Sequence, residues 1–249
     1  MKNPDPTIHF FPEIGAGGFS RVDSTIQFYE RINALIKPDF VLLDFGAGRG
    51  VADVICYRRE LRNFKSKVCE VIGADIDPVV AQNPLLSRAF VLDPAGSIPL
   101  PDECVNLIIS DFTFEHIEDP YRTASELDRI LIPGGWICAR TPNKYGYVAL
   151  ANQLVPESFH LRLLRFLQPS RQEKDVFKTF YRLNTVGALK RHFKQAKYDY
   201  FVYSWDAEPA YHGNYKSVFR VLKTIHGLTP PIFRTLLLIF LRKRAAQDP

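Results

Sequence analysis

The chain has 249 residues, of which 46% are hydrophobic and 24% charged, and this is enough for one α/β domain with an accessory segment. Its four cysteines lack the spacing of a metal site, so we expect reduced thiols and no metal. No apolar run reaches the ~20 residues of a membrane-spanning helix, and the polar start is unlike a signal peptide. We therefore expect a cytoplasmic protein.

The net charge of +5 conceals two oppositely charged parts. Residues 1–157 carry 15 Lys/Arg and 21 Asp/Glu, a net charge of −6, whereas residues 158–249 carry 17 and 6, a net charge of +11. The basic part favours an anionic substrate, an acidic partner or a peripheral location at a membrane surface. Solvated helix faces are the alternative explanation of these charges.

The first predicted elements are a glycine-rich segment and a helix. Residues 10–21 mix aromatic side chains with glycines, which suits a hinge, although an edge loop needs glycines too. Residues 24–36 carry apolar side chains at helical spacing, and Pro38 ends this pattern.

A strand followed by a glycine turn comes next. The apolar residues 41–45 predict a buried strand, and Gly46, Gly48 and Gly50 follow it. Glycines accept positive φ angles and let a ligand lie against the backbone. A helix predicted at residues 51–62 would point its amide groups at the same place. We interpret the turn as a site for a nucleoside-containing ligand, with a purely structural turn as the alternative.

Acidic residues indicate which nucleoside this is. A second predicted strand, residues 70–74, leads to Asp75, whose carboxylate can bind both hydroxyls of a ribose, with Asp77 as the alternative. Asp44 directly precedes the glycines, where its charge would repel a pyrophosphate and attract an ammonium group. This combination favours S-adenosylmethionine over NAD.

Seven segments together carry a family resemblance. In chain order they are residues 44–50, 73–78, 92–93, 98–102, 105–111, 114–120 and 131–135. They resemble the class I S-adenosylmethionine-dependent methyltransferases, in particular the methyltransferase type 11 group. The resemblance covers about residues 41–141 and departs from the usual pattern at Pro94 and Asn106.

The resemblance implies an α/β fold with a doubly wound, seven-stranded, mostly parallel, Rossmann-like sheet and a helical insertion after the fifth strand. The predicted strands are residues 41–45, 70–74, 89–92, 105–110, 136–140, 198–205 and 236–241. The predicted helices that follow the glycine turn are residues 51–63, 78–82 and 121–130, the last closed by a turn at residues 133–135. The predicted division is an N-terminal lid segment and helix (1–40), a cofactor core (41–143), a helical substrate insertion (144–196) and C-terminal strands (197–249).

The C-terminal apolar run has two interpretations. Residues 230–244 join apolar side chains to a basic end. We interpret them as a buried strand, and an interfacial anchor on an anionic membrane is the alternative.

The resemblance also implies a set of cofactor-binding residues. These are Asp44, Gly46, Ala47, Gly48, Gly50, Asp75, Ile76, Asp93, Ser110 and Asp111. Asp93 would contact the adenine amino group, although a turn cap before Pro94 is an alternative role for it. The reaction implied is an in-line attack on the sulfonium methyl group, with S-adenosylhomocysteine as the product.

A hydroxyl acceptor would also need a base. The candidates are Asp111, His116, Tyr181 and His160. For His116 we favour a structural role, in which the side chain tethers its loop.

The acceptor site is predicted around the insertion. Residues 140–147 and 175–185 resemble a bacterial methyltransferase subgroup of surface polysaccharide pathways. The candidate acceptor contacts there are Tyr145, Arg171, Tyr181 and Arg182, since arginine suits phosphate or carboxylate groups. For Asn184 and Thr185 we favour an N-cap of the next helix.

The predicted function is therefore methyl transfer to an anionic small molecule or lipid-linked saccharide. We expect no nucleic-acid partner, because the chain shows no RNA-binding motif. A non-catalytic S-adenosylmethionine-binding scaffold is the alternative, since a fold does not fix a function.

Overall fold

The computed structural model describes residues 5–50, 55–93, 96–154, 178–210 and 212–245. Its strands are β1 (Val41–Phe45), β2 (Glu70–Asp75), β3 (Arg88–Val91), β4 (Val105–Asp111), β5 (Leu131–Pro142), β6 (Tyr198–Trp205) and β7 (Leu236–Lys243). Its α-helices are α1 (Thr7–Phe10), α2 (Ser24–Leu35), α3 (Cys56–Arg62), α4 (Pro120–Ile130), α5 (Tyr147–Leu154), α6 (Val186–His192) and α7 (Lys216–Leu228). Short 3-10 helices lie at Pro12–Gly15, Pro78–Gln82, Phe114–His116 and Pro231–Phe233.

The strands form one seven-stranded sheet in the order β3-β2-β1-β4-β5-β7-β6. Neighbouring strands are parallel except for β7, which runs antiparallel to both β5 and β6. The strand order reverses direction at β1, so the carboxyl ends of β1 and β4 border a crevice where such sheets bind ligands. The predicted doubly wound α/β fold is confirmed.

Helices cover both faces of the sheet, because its strands carry apolar side chains on both sides. Leu42 packs with α2 and α3 in one layer of the core, whereas Leu43 and Phe45 pack with α4 and α6 in the other. The continuous apolar strands that the sequence predicted are those of a parallel sheet buried between two helical layers.

The fifth strand begins earlier than predicted. Val105 pairs with Leu131 and Leu107 with Trp136, so five residues of β5 oppose two of β4. The predicted turn at residues 133–135 is therefore wrong: these residues are an irregularity within β5, where Gly134 adopts a φ of +81°.

Several helices also differ from their predicted bounds. Helix α3 begins at Cys56 rather than at residue 51, and residues 51–54 lie outside the described residues. The helix predicted at residues 78–82 is a 3-10 helix. Helix α7, between β6 and β7, was not predicted. Of the predicted insertion, α5 and α6 are described, and the segment 155–177 between them lies outside the described residues.

The C-terminal apolar run is a strand. Residues 236–241 are buried, and β7 pairs with β5 along one side and with β6 along the other. The interpretation as a buried strand is confirmed for residues 236–241, whereas residues 231–233 form an exposed 3-10 helix. The alternative of a membrane anchor stays a prediction for residues 230–235. No helix within the described parts of the chain is long and apolar enough to cross a membrane.

Candidate functional site

The glycine turn after β1 is held by close packing on two sides. Gly46, Gly48 and Gly50 have φ angles of +84°, +49° and +77°. A Cβ atom on Gly46 would lie 2.0 Å from Oγ1 of Thr113, and one on Gly50 would lie 2.6 Å from Oδ1 of Asn83. In front of Gly48 no atom of the described residues lies within 4 Å of the corresponding position. The turn is thus pressed against its neighbours at both ends and is open in the middle, where a ligand can approach its backbone.

Asp75 stands at the end of β2 and is fixed by the glycine turn. Its Oδ2 accepts a hydrogen bond from the backbone N–H of Gly48 at 2.8 Å, and its Oδ1 accepts one from Asp77 N at 2.8 Å. Each carboxylate oxygen keeps a second lone pair, which a ribose hydroxyl can use. Asp77 accepts instead from Val79 N at 2.9 Å and caps the following 3-10 helix. Ile76 between them is exposed and offers an apolar surface beside the site.

Asp44 has an unusual charge state. Burial raises its pKa to about 7, the neighbouring carboxylates of Asp111 and Asp75 act in the same direction, and Arg62 partly opposes them. Three carboxylates therefore border the turn on β1, β2 and β4. Such a group favours a cationic ligand and disfavours a pyrophosphate.

Asp111 at the end of β4 is bound by two arginines and a tyrosine. Arg140 donates from Nε to Oδ1 at 2.7 Å and from Nη2 to Oδ2 at 2.8 Å, while Tyr29 and Arg62 contact Oδ2 at 3.1 and 3.3 Å. Burial alone would raise the pKa of Asp111, but Arg140 and Arg62 hold it below its usual value. A carboxylate in this state is a weak proton acceptor, so its geometry suits a positioning role.

The same ion pair fixes the N-terminal helix to the sheet. Arg140 is only 2% exposed, and its Nη1 donates to the hydroxyls of Ser24 and Thr25, both at 3.0 Å. Asp23 caps α2 by accepting from the backbone N–H groups of Thr25 and Ile26. Helix α2 is therefore part of the core, and the predicted lid role stays a prediction for the residues that precede it.

Two further predicted cofactor contacts are Ser110, which precedes Asp111 on β4, and Asp93, which follows β3. The hydroxyl of Ser110 is buried and makes no hydrogen bond within the described residues. Phe112 has a φ of +55°, and its exposed ring lies under the guanidinium of Arg140 at 4.7 Å. Asp93 is exposed after β3, and its carbonyl accepts from Gly96 N at 2.8 Å.

Sequence reasoning missed Glu115, which is 5% exposed. Its Oε2 accepts from the Thr141 hydroxyl at 2.8 Å, and Asn184 donates to that same hydroxyl at 2.6 Å. Burial raises the pKa of Glu115 to about 7. The signal available in the sequence was the acid next to His116 in the segment 114–120, but its burial could not be read there.

The loop after β4 meets residues 178–182. His116 Nδ1 lies 2.8 Å from the carbonyl oxygen of Lys178, and Arg182 donates to the carbonyl of Glu118. Tyr181 is buried, with a φ of +52°, and its N–H donates to Glu115 O at 3.2 Å.

The remaining predicted acceptor residues divide into two groups. Tyr145 is exposed after β5, and its N–H donates to Asn143 Oδ1 at 3.2 Å. His160 and Arg171 lie outside the described residues. Thr185 accepts from Ala188 N and caps α6, as predicted.

Comparisons with known proteins agree with this geometry. A family model described as "Methyltransferase domain" matches residues 43–139. A chain of the Haloferax volcanii complex that contains the Trm112 methyltransferase activator has a TM-score of 0.56 and 17% identity, over 90% of this chain and 92% of that one. YcgJ from Bacillus subtilis has a TM-score of 0.54 and 15% identity, over 88% and 99%. An S-adenosylmethionine-dependent methyltransferase from Mesorhizobium loti has a TM-score of 0.52 and 16% identity, over 88% and 98%. No curated protein sequence matches the chain.

Residues 43–139 thus match a methyltransferase domain, and the chain has a Rossmann-like methyltransferase fold. The cofactor of this domain is S-adenosylmethionine. The residues present fit that cofactor, because the open backbone at Gly48, the ribose-type acid Asp75 and the half-buried Asp44 match a nucleoside with a cationic end.

Proposed function

We propose that the protein transfers a methyl group from S-adenosylmethionine to an anionic acceptor, either a small molecule or a saccharide carried on a lipid. This acceptor class agrees with the resemblance to methyltransferases of surface polysaccharide pathways. The observation that carries the proposal is a cluster of exposed cations beside the loop that follows β4. We further propose that the reaction takes place in the cytoplasm.

The cation cluster consists of Lys178 and Arg182 around the ring of Phe180. Lys178 Nζ lies 5.0 Å and the Arg182 guanidinium 5.4 Å from the ring centroid. Both cationic side chains are exposed, and His116 ties this segment to the loop after β4. An aromatic ring between two cations suits a sugar or other flat group that carries a phosphate or carboxylate.

On the cofactor side, each residue has a separate task. Asp44 would pair with the ammonium group, and Asp75 would accept hydrogen bonds from the ribose hydroxyls. The backbone at Gly48 would lie against the nucleoside. S-adenosylmethionine supplies a methyl group on a sulfur that leaves readily. The work of the chain is therefore to hold the reactants in line and to exclude water.

If the acceptor is a hydroxyl, we propose that Glu115 holds its proton, since it lies in the loop after β4 and is hydrogen-bonded to Thr141 near the end of β5. The pKa of Glu115 is raised to about 7, close to the value that suits a base at neutral pH. Asp111 is less suited, because two arginines hold its pKa below the usual value. Activity of Glu115→Gln across pH 6 to 9 tests this: loss of kcat with unchanged cofactor affinity is expected, and a full kcat would contradict it.

Methyl-labelled S-adenosylmethionine tests the acceptor class. The purified protein is incubated with anionic saccharides, lipid-linked saccharides and neutral analogues of the same size. We expect label only in the anionic fractions. The double variant Lys178→Ala/Arg182→Ala should raise KM for the acceptor at least tenfold and leave the affinity for S-adenosylhomocysteine unchanged. The control Lys190→Ala/Arg191→Ala removes the same charge from the last turn of α6.

Two outcomes would overturn the proposal. Equal labelling of neutral and anionic acceptors would contradict the anionic acceptor class. Tight binding of S-adenosylhomocysteine without transfer to any fraction would favour the alternative, a non-catalytic S-adenosylmethionine-binding scaffold.

A further inference from the structure

A stripe of apolar side chains lies exposed on α7 and on the 3-10 helix after it. The α7 face, as we call it, consists of Val218, Val221, Ile225, Leu228, Ile232 and Phe233. Leu228 is 79% and Ile232 62% exposed. The four helical positions are spaced by three and four residues, so they share one side of α7. Contiguous apolar surface of this kind marks an interaction site more often than scattered residues do.

A different side of α7 packs against the protein. Phe219 is fully buried and stacks on Phe10 at 4.8 Å, with His212 against its edge at 5.1 Å. Lys223 Nζ donates to the carbonyl of Phe10 at 3.2 Å. These contacts hold the helix in place without using the α7 face, so the face is presented rigidly to the outside.

The charged residues of this part of the sequence have a single sign. Between residues 209 and 247 the sequence has seven Lys/Arg and no Asp/Glu. Lys216 and Arg220 are exposed on α7, whereas Arg234, which follows the 3-10 helix, lies 3.9 Å from the carboxylate of Asp206. A fixed helix with an exposed apolar side and with cations as its charged residues is the pattern of helices that lie in the surface of an anionic bilayer.

We propose that the α7 face docks the protein on an anionic lipid bilayer. The apolar side chains enter the boundary between headgroups and acyl chains, and Lys216 and Arg220 meet the phosphates of the lipids. This surface is distinct from residues 236–241, which are buried in the sheet.

The α7 face adjoins the segment that leaves β5. Asn143 Nδ2 donates to the carbonyls of Ile232 and Arg234 at 2.9 and 2.8 Å, and His226 Nε2 lies 3.2 Å from the hydroxyl of Tyr147. Docking would therefore bring the chain after β5 close to the bilayer. Such a position favours an acceptor carried on a lipid over a freely diffusing one. This conclusion about the acceptor rests on the proposed function, whereas the docking itself does not.

Flotation of the full-length protein with vesicles tests the docking. We expect binding to vesicles of phosphatidylcholine with 30% phosphatidylglycerol, and little binding to pure phosphatidylcholine. The variant Val221→Ser/Leu228→Ser/Ile232→Ser should bind at least tenfold more weakly. Lys216→Gln/Arg220→Gln should lose on the order of fivefold per cation at low salt. The control Val91→Ser/Tyr121→Ser/Phe201→Ser removes exposed apolar side chains elsewhere and should bind as the wild type does.

The proposal is wrong if the wild type does not distinguish the two vesicles, or if the α7 variant binds as tightly as the wild type. The proposal is also wrong if the wild type self-associates without binding vesicles and the α7 variant abolishes this self-association. The α7 face would then bind a second copy of the chain. Titration of the same samples with S-adenosylhomocysteine separates the two proposals, because the α7 variant should keep full cofactor affinity.

Discussion

Asp44 should couple cofactor binding to pH. Its pKa of about 7 in the free protein means that about half the molecules carry a proton there at neutral pH. An ammonium group beside it favours the ionised form, so binding should release about half a proton at pH 7. The affinity for S-adenosylhomocysteine should rise about tenfold from pH 6 to pH 8. Isothermal titration in buffers of different ionisation enthalpy measures both quantities.

Two variants make this test specific. Asp44→Asn should bind S-adenosylhomocysteine more weakly, with an affinity that does not change between pH 6 and pH 8. The exposed Asp39→Asn, five residues earlier, should behave as the wild type. Absence of proton release by the wild type at pH 7 would show that Asp44 does not face the ammonium group.

Glu115 should make the protein less stable at alkaline pH. Its pKa is about 7 in the folded protein and near 4.5 in the unfolded chain, so the folded state binds more protons between these values. The free energy of unfolding therefore falls as pH rises from about 4.5 to about 7, by up to about 3 kcal/mol. Glu115→Gln removes this loss, so it should match the wild type at pH 5 and exceed its stability at pH 8. Urea denaturation at the two pH values measures the difference.

The exposed Glu118→Gln, three residues further on, is the matched control and should change stability equally little at both pH values. A constant difference between Glu115→Gln and the wild type would contradict the raised pKa of Glu115.

At the scale of elements, the buried pair of Arg140 and Asp111 joins α2 to β4 and β5. Arg140→Met leaves Asp111 buried without its bidentate partner, which should cost about 3 to 5 kcal/mol in the free energy of unfolding. Asp111→Asn/Arg140→Met should recover part of that loss, because no charge is then left unpaired. Urea denaturation of the single and double variants measures both effects.

The exposed pair of Arg88 and Glu70 provides the comparison. Arg88→Met should cost less than about 1 kcal/mol, because water screens an exposed ion pair. If Arg140→Met cost no more than Arg88→Met, the buried pair would not be what anchors α2.

The sequence was a good guide to elements with strong local signals. The strand at residues 41–45 and the Thr185 cap of α6 could be predicted because apolar runs and capping residues act locally. The bulge in β5 could not be predicted, since it depends on how β5 pairs with β4. Helix α7 also escaped prediction: its fixed contact is between Phe219 and Phe10, at the other end of the chain.

The candidate site shows the same division. Gly48 and Asp75 were predicted from their places after β1 and β2, where parallel strands of this fold bring ligand contacts together. The ion pair that Asp111 makes was not predicted, because its partner Arg140 lies on another strand. Burial in three dimensions likewise sets the pKa of Glu115, and no spacing in the sequence reports it.

In the whole molecule, the two oppositely charged parts suit different ligands. The acidic part supplies the carboxylates around the glycine turn, which suit a cationic cofactor. The basic part supplies the cluster at Lys178 and Arg182 and the border of the α7 face, which suit an anionic acceptor and an anionic surface. One molecule can thus hold ligands of opposite charge side by side.

We propose that the turn at Gly48 and Asp75 binds the nucleoside of S-adenosylmethionine. Isothermal titration of the wild type, Asp75→Ala and Asp77→Ala with S-adenosylhomocysteine tests it most directly. We expect binding of the wild type in the micromolar range and a loss of at least tenfold in Asp75→Ala. Asp77→Ala, which removes only a helix cap, should bind as the wild type does. A folded wild type that fails to bind, or equal affinity in Asp75→Ala, would show that this turn does not bind the nucleoside.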